Sequence, residues 1–507
     1  MASRGDEASQ STPGTGVQVG GSRPEPGAGG RVRRVQERLS ADPRYPRWVL
    51  WTGLAGIMAT TFPITLLGVA VGDIAQDLGT TSTLMTWVIT APMLGHALAM
   101  PILGKLGDLY GHRRVYLWGF SLAVVGAVLT SLAWGPLPLI VLRTFSQMIG
   151  AATIPASLAI IMSVHAPEHR ARAMGWWSLA SAGAPLVGLV GGGPMIDAVG
   201  WRWLFVIQAG LALLALLPAV FILHETDRGE GVSFDIPGAV SLALAVGSVV
   251  FAFNRGVEWG WMHPAVTFSI AMAPVALAGF ILAERRVLSP LLPLDFFRRR
   301  NFAIPLVAKF TLHFAYMGGF ILVPLLVRFV MGYSLSMASM VMLFRPLFFA
   351  AAAPLGGRAS TWIGERSVAV IGAFTIVLSM VLFAVGAWAG SISLIILGLS
   401  ASGAGNGFSQ PALVASAANA VSDRDLGIAS GTAQMTGQVG GVVGIGILTA
   451  IQGASPTADA HIAAFVVGAL VAAVGLFAAM FLRSADRSGT HETDEAGPDD
   501  TVGDQAD

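Results

Sequence analysis

Gly104-Lys-Leu-Gly-Asp-Leu-Tyr-Gly-His-Arg-Arg114, a short charged loop between two long apolar runs, decides how the rest of the chain is read. A weaker copy stands at Gly357-Arg-Ala-Ser-Thr-Trp-Ile-Gly364. In both, the glycines are seven residues apart, and each loop follows an apolar run that ends in proline and glycine, at Pro101 and Pro354. Asp108 of the first copy is Thr361 in the second. Two copies make an internal repeat. Weakly similar halves built of membrane-spanning helices are the sequence signature of a transporter whose halves rock about a central site.

Composition agrees independently. Of 507 residues 54% are hydrophobic and 12% charged, with a mean hydropathy of +0.69, far outside the range of soluble globular chains. There is no cysteine, which excludes disulfides, thiol catalysis and cysteine metal sites. No phosphate-binding Gly-x-x-x-x-Gly-Lys loop and no His-Glu-x-x-His is present, so nothing points to an enzyme, a cofactor or a metal. The net charge of +1 gives no footprint for nucleic acid. The lipid bilayer is the implied partner.

A bilayer core of roughly 30 Å asks for about 20 apolar residues per helix. Fourteen runs meet this, at 48–72, 84–103, 115–134, 137–163, 174–196, 203–223, 236–254, 264–283, 302–330, 335–355, 367–388, 391–419, 426–451 and 462–482. With the N-terminus inside, 24 of the 30 Lys and Arg fall on the cytoplasmic side; Arg202, Arg255 and Arg328 lie outside, and Arg143, Lys309 and Arg345 lie within spans. Both termini are therefore expected in the cytoplasm of a multi-pass cell-membrane protein. Residues 1–47, rich in Gly, Ser, Pro and Arg, and the acidic residues 483–507 read as disordered tails. The repeat places a six-helix bundle at 48–224 and another at 301–482, with two inserted helices in 225–300.

Gly104, Leu106, Asp108, Gly111, Arg113 and Arg114 resemble, position for position, the cytoplasmic loop motif of the major facilitator superfamily. Fourteen spans with two inserted helices resemble its drug:proton antiporter branch, as do Asp235–Gly238, Gly256-Val-Glu-Trp-Gly-Trp261 and Pro290-Leu-Leu-Pro-Leu-Asp-Phe-Phe297. The resemblance covers about residues 48–482. It implies an all-α membrane fold working by alternating access, in which Gly104, Asp108, Gly111, Arg113 and Arg114 form a conformational latch. Asp108 is placed to pair with Arg113 or Arg114 and to meet the positive end of a nearby helix.

Two further motifs are carried over by resemblance. Pro185, Gly188, Gly192 and Gly193 in span five are similar to the antiporter motif that accompanies export, although Leu189 stands at its second proline. Small residues at that spacing let helices approach closely, and Pro185 removes a backbone donor. Arg143 in span four matches the arginine implicated in proton transfer, with Ser146 and Gln147 in place of the usual Gln-Gly. An intramembrane arginine is costly unless it faces a cavity or a partner. The alternative for Arg143 is structural, bonding carbonyls of span one or five.

The acids depart from the branch. All 29 Asp and Glu lie in loops, tails or span ends, and Pro63 stands where relatives carry a span-one aspartate. Pro92 replaces a usual tyrosine. Basic and imidazole groups are embedded instead: His96 in span two, Lys309 and His313 one turn apart in span nine, and Arg345 in span ten. Each alone often bonds only a neighbouring backbone; together they favour an anionic or amphiphilic substrate. Either His96 or His313 is suited to carry a proton. The expected activity is export of hydrophobic or amphiphilic small molecules by proton antiport. Two alternatives stay open: an exporter or flippase of an anionic lipid or metabolite with weak or no coupling, and a non-transporting receptor or scaffold.

Overall fold

The structure is a computed structural model that describes residues 36, 38–61, 74–80, 82–85, 87–226, 235–287, 290, 292–333, 335–453 and 457–483. Among these residues every regular element is a helix. The N-terminal set is α1 (Tyr45–Thr61), a single turn α2 (Ser82–Met85), α3 (Trp87–Tyr110), α4 (His112–Ser131), α5 (Pro136–Gly150), α6 (Thr153–Ser163), α7 (Pro167–Val199) and α8 (Arg202–Ile222). The inserted pair is α9 (Ile236–Trp259) and α10 (Pro264–Glu284). The C-terminal set is α11 (Arg300–Leu325), α12 (Leu335–Met342), α13 (Phe344–Ala389), α14 (Ile392–Asn419), α15 (Leu426–Gln452) and α16 (Ala458–Met480). Eleven stretches among the described residues are long and apolar enough to cross a membrane. One of them, Met340–Ala389, holds two of the expected spans, and the set is consistent with the fourteen runs.

Prolines account for the breaks inside expected spans. Span four divides at Ala151–Ala152, because Pro155 has no N–H to give the Ala151 carbonyl; Thr153 Oγ1 donates to the Gly150 carbonyl at 2.7 Å in the same turn. Span ten divides between α12 and α13, where Pro346 leaves the Met342 carbonyl without its donor. The inserted pair is capped as its sequence implies. The Asp235 carboxylate accepts from Gly238 N–H at 2.9 Å ahead of Pro237, and His263 Nδ1 accepts from Ala265 N–H ahead of Pro264.

The repeat is visible in the backbone. Gly111 (φ 97°) ends α3 and starts α4, and Gly364 (φ 84°) makes the corresponding turn inside α13. A side chain at either φ would be strained, which is why the last residue of each seven-residue loop is glycine. The other glycine of each loop makes a close approach. A Cβ on Gly104 would stand 2.5 Å from the Gly427 carbonyl oxygen of α15, and one on Gly357 would stand 2.6 Å from the Ala171 carbonyl oxygen of α7. Each bundle thus lays the second helix of its repeat, backbone to backbone, on the fifth helix of the other.

The outside of the assembly is apolar. Phe268, Val275 and Leu282 on α10 and Leu470, Val474 and Phe477 on α16 are exposed at helical spacing, as a surface solvated by lipid requires. The inserted helix α9 reaches both sets. Its Arg255 lies 3.6 Å over the Trp87 ring of α3 and pairs with Glu258, while Phe253 packs where a Cβ on Gly446 of α15 would meet it. At the outer face Asp77 receives Arg202 Nη1 at 2.6 Å and Trp201 Nε1 at 3.1 Å. The Arg202 hydrogen bond, helped by that from Trp201, holds its carboxyl below the usual carboxylate range.

Candidate functional site

The face marked as cytoplasmic by its basic residues is closed. Asp108, buried at the end of α3, accepts from the N–H groups of Gly427 (2.9 Å) and Ile428 (2.8 Å) in the first turn of α15. Those N–H groups have no partner within their own helix and carry the positive end of its dipole, so a carboxylate is the group they bind best. His112 Nε2 completes the site 3.0 Å from the same carboxylate.

The expected pairing of Asp108 with Arg113 or Arg114 is not found. Gly111 turns the chain so that His112 comes back beneath Asp108, four residues on, while the two arginines point to the end of α8. There Arg113 Nη2 donates to the Val220 carbonyl at 2.9 Å and Arg114 Nε sits 3.5 Å from Glu225. Glu225 and Thr226 also accept from the N–H groups of Arg113 and His112, which caps α4 from outside.

A second set of polar contacts crosses between the bundles at the same level. Arg170 of α7 donates to Asp423 Oδ1 at 2.6 Å and to Asn419 Oδ1 at 3.1 Å, and Asn419 Nδ2 donates to Glu365 at 3.0 Å. Glu365 follows the Gly364 turn, so this set occupies the place where the second loop copy lacks an aspartate.

Deeper in the membrane a cavity of about 140 Å³ is lined by Thr60, Thr61, Pro92, His96, Arg143 and Gln147 of the N-terminal helices and by Gln438 of α15. Three expected residues or their neighbours meet here. Arg143 Nε donates to the Val88 carbonyl at 3.0 Å and its guanidinium lies 5.3 Å from the centre of the Phe205 ring. Its carbonyl partner is therefore on span two, not on span one or five. His96 sets Nδ1 3.2 Å from the Gln147 carbonyl, across the same cavity wall.

The other embedded cations collect in the C-terminal helices. Lys309 and His313 share a face of α11 with Tyr316, and each has an amide partner: Lys309 Nζ donates to Gln434 Oε1 of α15, and Gln410 Nε2 of α14 lies 2.9 Å from His313 Nε2. Arg345 of α13 is 3% exposed and stacks 3.4 Å over the Tyr316 ring. Pro185, Gly188, Gly192 and Gly193 fall in α7, which runs unbroken through them; their side chains, and the span-one stretch around Pro63, lie outside the described residues.

The sequence model of the Major Facilitator Superfamily matches residues 53–445, with a second match over 310–502. The chain belongs to that superfamily. Among curated relatives, the multidrug resistance protein Stp of Mycobacterium tuberculosis is 28% identical over 418 residues, 81% of this chain and 77% of that protein. The multidrug transporter protein MdtP of Bacillus subtilis is 27% identical over 80% of this chain and 76% of its own. The puromycin resistance protein pur8 of Streptomyces alboniger is 33% identical over 48% of this chain and 49% of its own. Among solved structures, the human organic anion transporter MFSD10 superposes with a TM-score of 0.64 at 17% identity, covering 86% of this chain and all of that one, which supports the fold.

Within this superfamily member, reasoning from sequence missed the amides. Gln434 and Gln438 are four residues apart within a membrane span, the same spacing that singled out Lys309 and His313. Applied to amides, that rule finds both the Lys309 partner and the cavity wall.

Proposed function

We propose that this superfamily member exports hydrophobic or amphiphilic small molecules across the cell membrane by alternating access, in exchange for protons. The observation that carries the reading is the cytoplasmic closure. Asp108 of one bundle holds the N-terminus of α15 in the other, while a cavity with polar and apolar walls lies deeper between them. A carboxylate poised on a helix terminus is a contact that forms or breaks as a unit, which is what a two-state protein needs.

Relatives that this chain covers over some three-quarters of their own length are named for multidrug resistance or transport. They support an amphiphilic cargo. With no acid embedded, the proton is assigned to His96, whose ring lines the cavity beside Arg143. Arg143 keeps a positive charge at the same cavity wall, so a proton arriving on His96 adds a second like charge beside it and changes how strongly the cavity holds its cargo.

The test is reconstitution into vesicles loaded with a pH-sensitive dye. Export driven by an imposed proton gradient, with proton movement that depends on the cargo, is the expected result. Cargo movement that neither responds to the gradient nor moves protons would leave only uncoupled export, and no cargo movement at all would leave the receptor or scaffold reading.

A further inference from the structure

We propose that the C-terminal helices hold an acidic headgroup between Lys309 and Arg345, so that the cargo is an anionic amphiphile with its tail in the cavity of the N-terminal helices. This rests on the export reading and names the substrate class that the same site takes.

The first observation is charge. Lys309, within α11, and Arg345, in the first turn of α13, are 2% and 3% exposed, and among the described residues no carboxylate pairs with either. Lys309 is one turn before His313 on the same face, the His313 and Tyr316 rings are 5.8 Å apart, and Arg345 lies over Tyr316, so the two cations flank one locus. An uncompensated positive pair at that depth is expensive, and proteins retain such groups where something anionic comes to meet them.

The second observation is unused donors. The Arg345 guanidinium is clamped flat by Tyr316, at 3.4 Å, and by Phe320, at 4.6 Å. Stacking fixes the plane and leaves the in-plane hydrogens to be claimed. Nε and Nη1 are buried without a hydrogen-bond partner. These two donors lie on different edges of the planar group, and each can give one charge-assisted bond to an oxygen of a carboxylate, sulfate or phosphate. Gln434 takes one of the three hydrogens on Lys309 Nζ, and among the described residues nothing else takes the other two.

The third observation is access. His313, Gln410 and Gln434 are only half-buried, although they sit in apolar spans where lipid contact would leave their polar groups unsatisfied. Gln434 is one helical turn, about 6 Å, from Gln438, which lines the cavity. A headgroup held by Lys309 and Arg345 therefore puts its chain along α15 into a space walled by Ile89, Pro92 and Met93. Polar end and apolar end fall on opposite bundles, which makes the ligand itself bridge the two bodies that move.

The test is equilibrium binding, not transport, so it stands apart from the coupling experiment. Purified protein in discs of zwitterionic lipid is titrated with decanesulfonate, decyltrimethylammonium and decyl maltoside, matched in chain length. Decanesulfonate is expected to bind at least about tenfold more tightly than the cation, the worth of roughly one desolvated charge-assisted contact. Lys309→Gln and Arg345→Gln should each remove that preference and leave decyl maltoside unchanged, whereas Lys309→Arg, which keeps the charge, should retain it. Equal binding of the two charged ligands, a preference for the cation, or an anion preference that survives in both glutamine variants overturns the proposal. If the glutamine variants fail to fold, the Lys309→Arg variant and the wild-type preference still decide. Doping the discs with phosphatidylglycerol distinguishes sources: competition with decanesulfonate identifies a lipid headgroup as the occupant, and its absence identifies a free amphiphile, the anion site standing in both cases. Loss of cargo-dependent proton flux in vesicles together with an intact anion preference would sink the coupling and leave this site.

Discussion

Replacing Asp108 by asparagine tests the closure most directly, because the structure says what is lost. The carboxylate accepts from two N–H groups of α15, at 2.9 and 2.8 Å, and meets His112 Nε2 at 3.0 Å. Asparagine fits the same space with a single acceptor, and its amide hydrogens oppose the second N–H. One charge-assisted bond of about 1.5–3 kcal/mol disappears, and with it the attraction to the helix end, about 0.5 kcal/mol or more. The cytoplasm-closed state should lose roughly 2–3 kcal/mol relative to the open one, a shift of about 30- to 150-fold in their ratio.

The cysteine-free chain makes this measurable by labelling. Ser430 is buried where α15 meets α6, 3.5 Å from the Pro155 carbonyl. In Ser430→Cys, an impermeant maleimide applied from the cytoplasmic side should react slowly. In the same background Asp108→Asn should raise that rate by at least tenfold, with expression and size-exclusion profile unchanged. Rates within twofold of each other would show that the carboxylate does not hold this side shut.

Arg143→Ala should abolish export, since it removes both the bond to the Val88 carbonyl and the charge on the cavity wall; Arg143→Lys should restore a minor part, as lysine lacks the planar fork, and initial rates of cargo efflux separate the two. Gly357→Val should hold the cytoplasmic side ajar, because even its Cβ would stand 2.6 Å from the Ala171 carbonyl oxygen, and the Ser430→Cys labelling rate reads it. Arg170→Ala should act in the same direction but weakly, about 1 kcal/mol or severalfold, because its partner Asp423 is 72% exposed and water screens the pair.

The spans and the repeat were legible in the sequence because membrane insertion writes itself into length and apolarity, and because the loop glycines are required by backbone geometry at Gly111 and Gly364. Breaks within spans were marked by Pro155 and Pro346, but where each falls follows from the carbonyl four residues earlier, which loses its helical donor. Around Asp108 only part of the geometry was legible. That Asp108 meets a helix end was expected, whereas its ion partner was not, since Arg113 and Arg114 are near in sequence but a glycine with positive φ sends them elsewhere. For Arg143 depth was readable and the direction of the guanidinium was not, because which neighbouring helix supplies the carbonyl is set by packing. The amide partners of Lys309 and His313 come from α15 and α14, more than ninety residues away, and no local pattern announces such a pairing.

The paired contacts of Gly104 on Gly427 and Gly357 on Ala171 have a consequence for how the cytoplasmic side opens. Where long side chains interdigitate, two surfaces can slide and re-pack by degrees, with rotamers taking up the slack. Here bare peptide faces bare peptide, and nothing compressible lies between. Parting the surfaces by about 3 Å, the width of one water molecule, is enough to wet both strips at once. The seam therefore has no half-open setting in which it still excludes water, and leakage through a nearly closed gate is limited by the thickness of a single hydration layer.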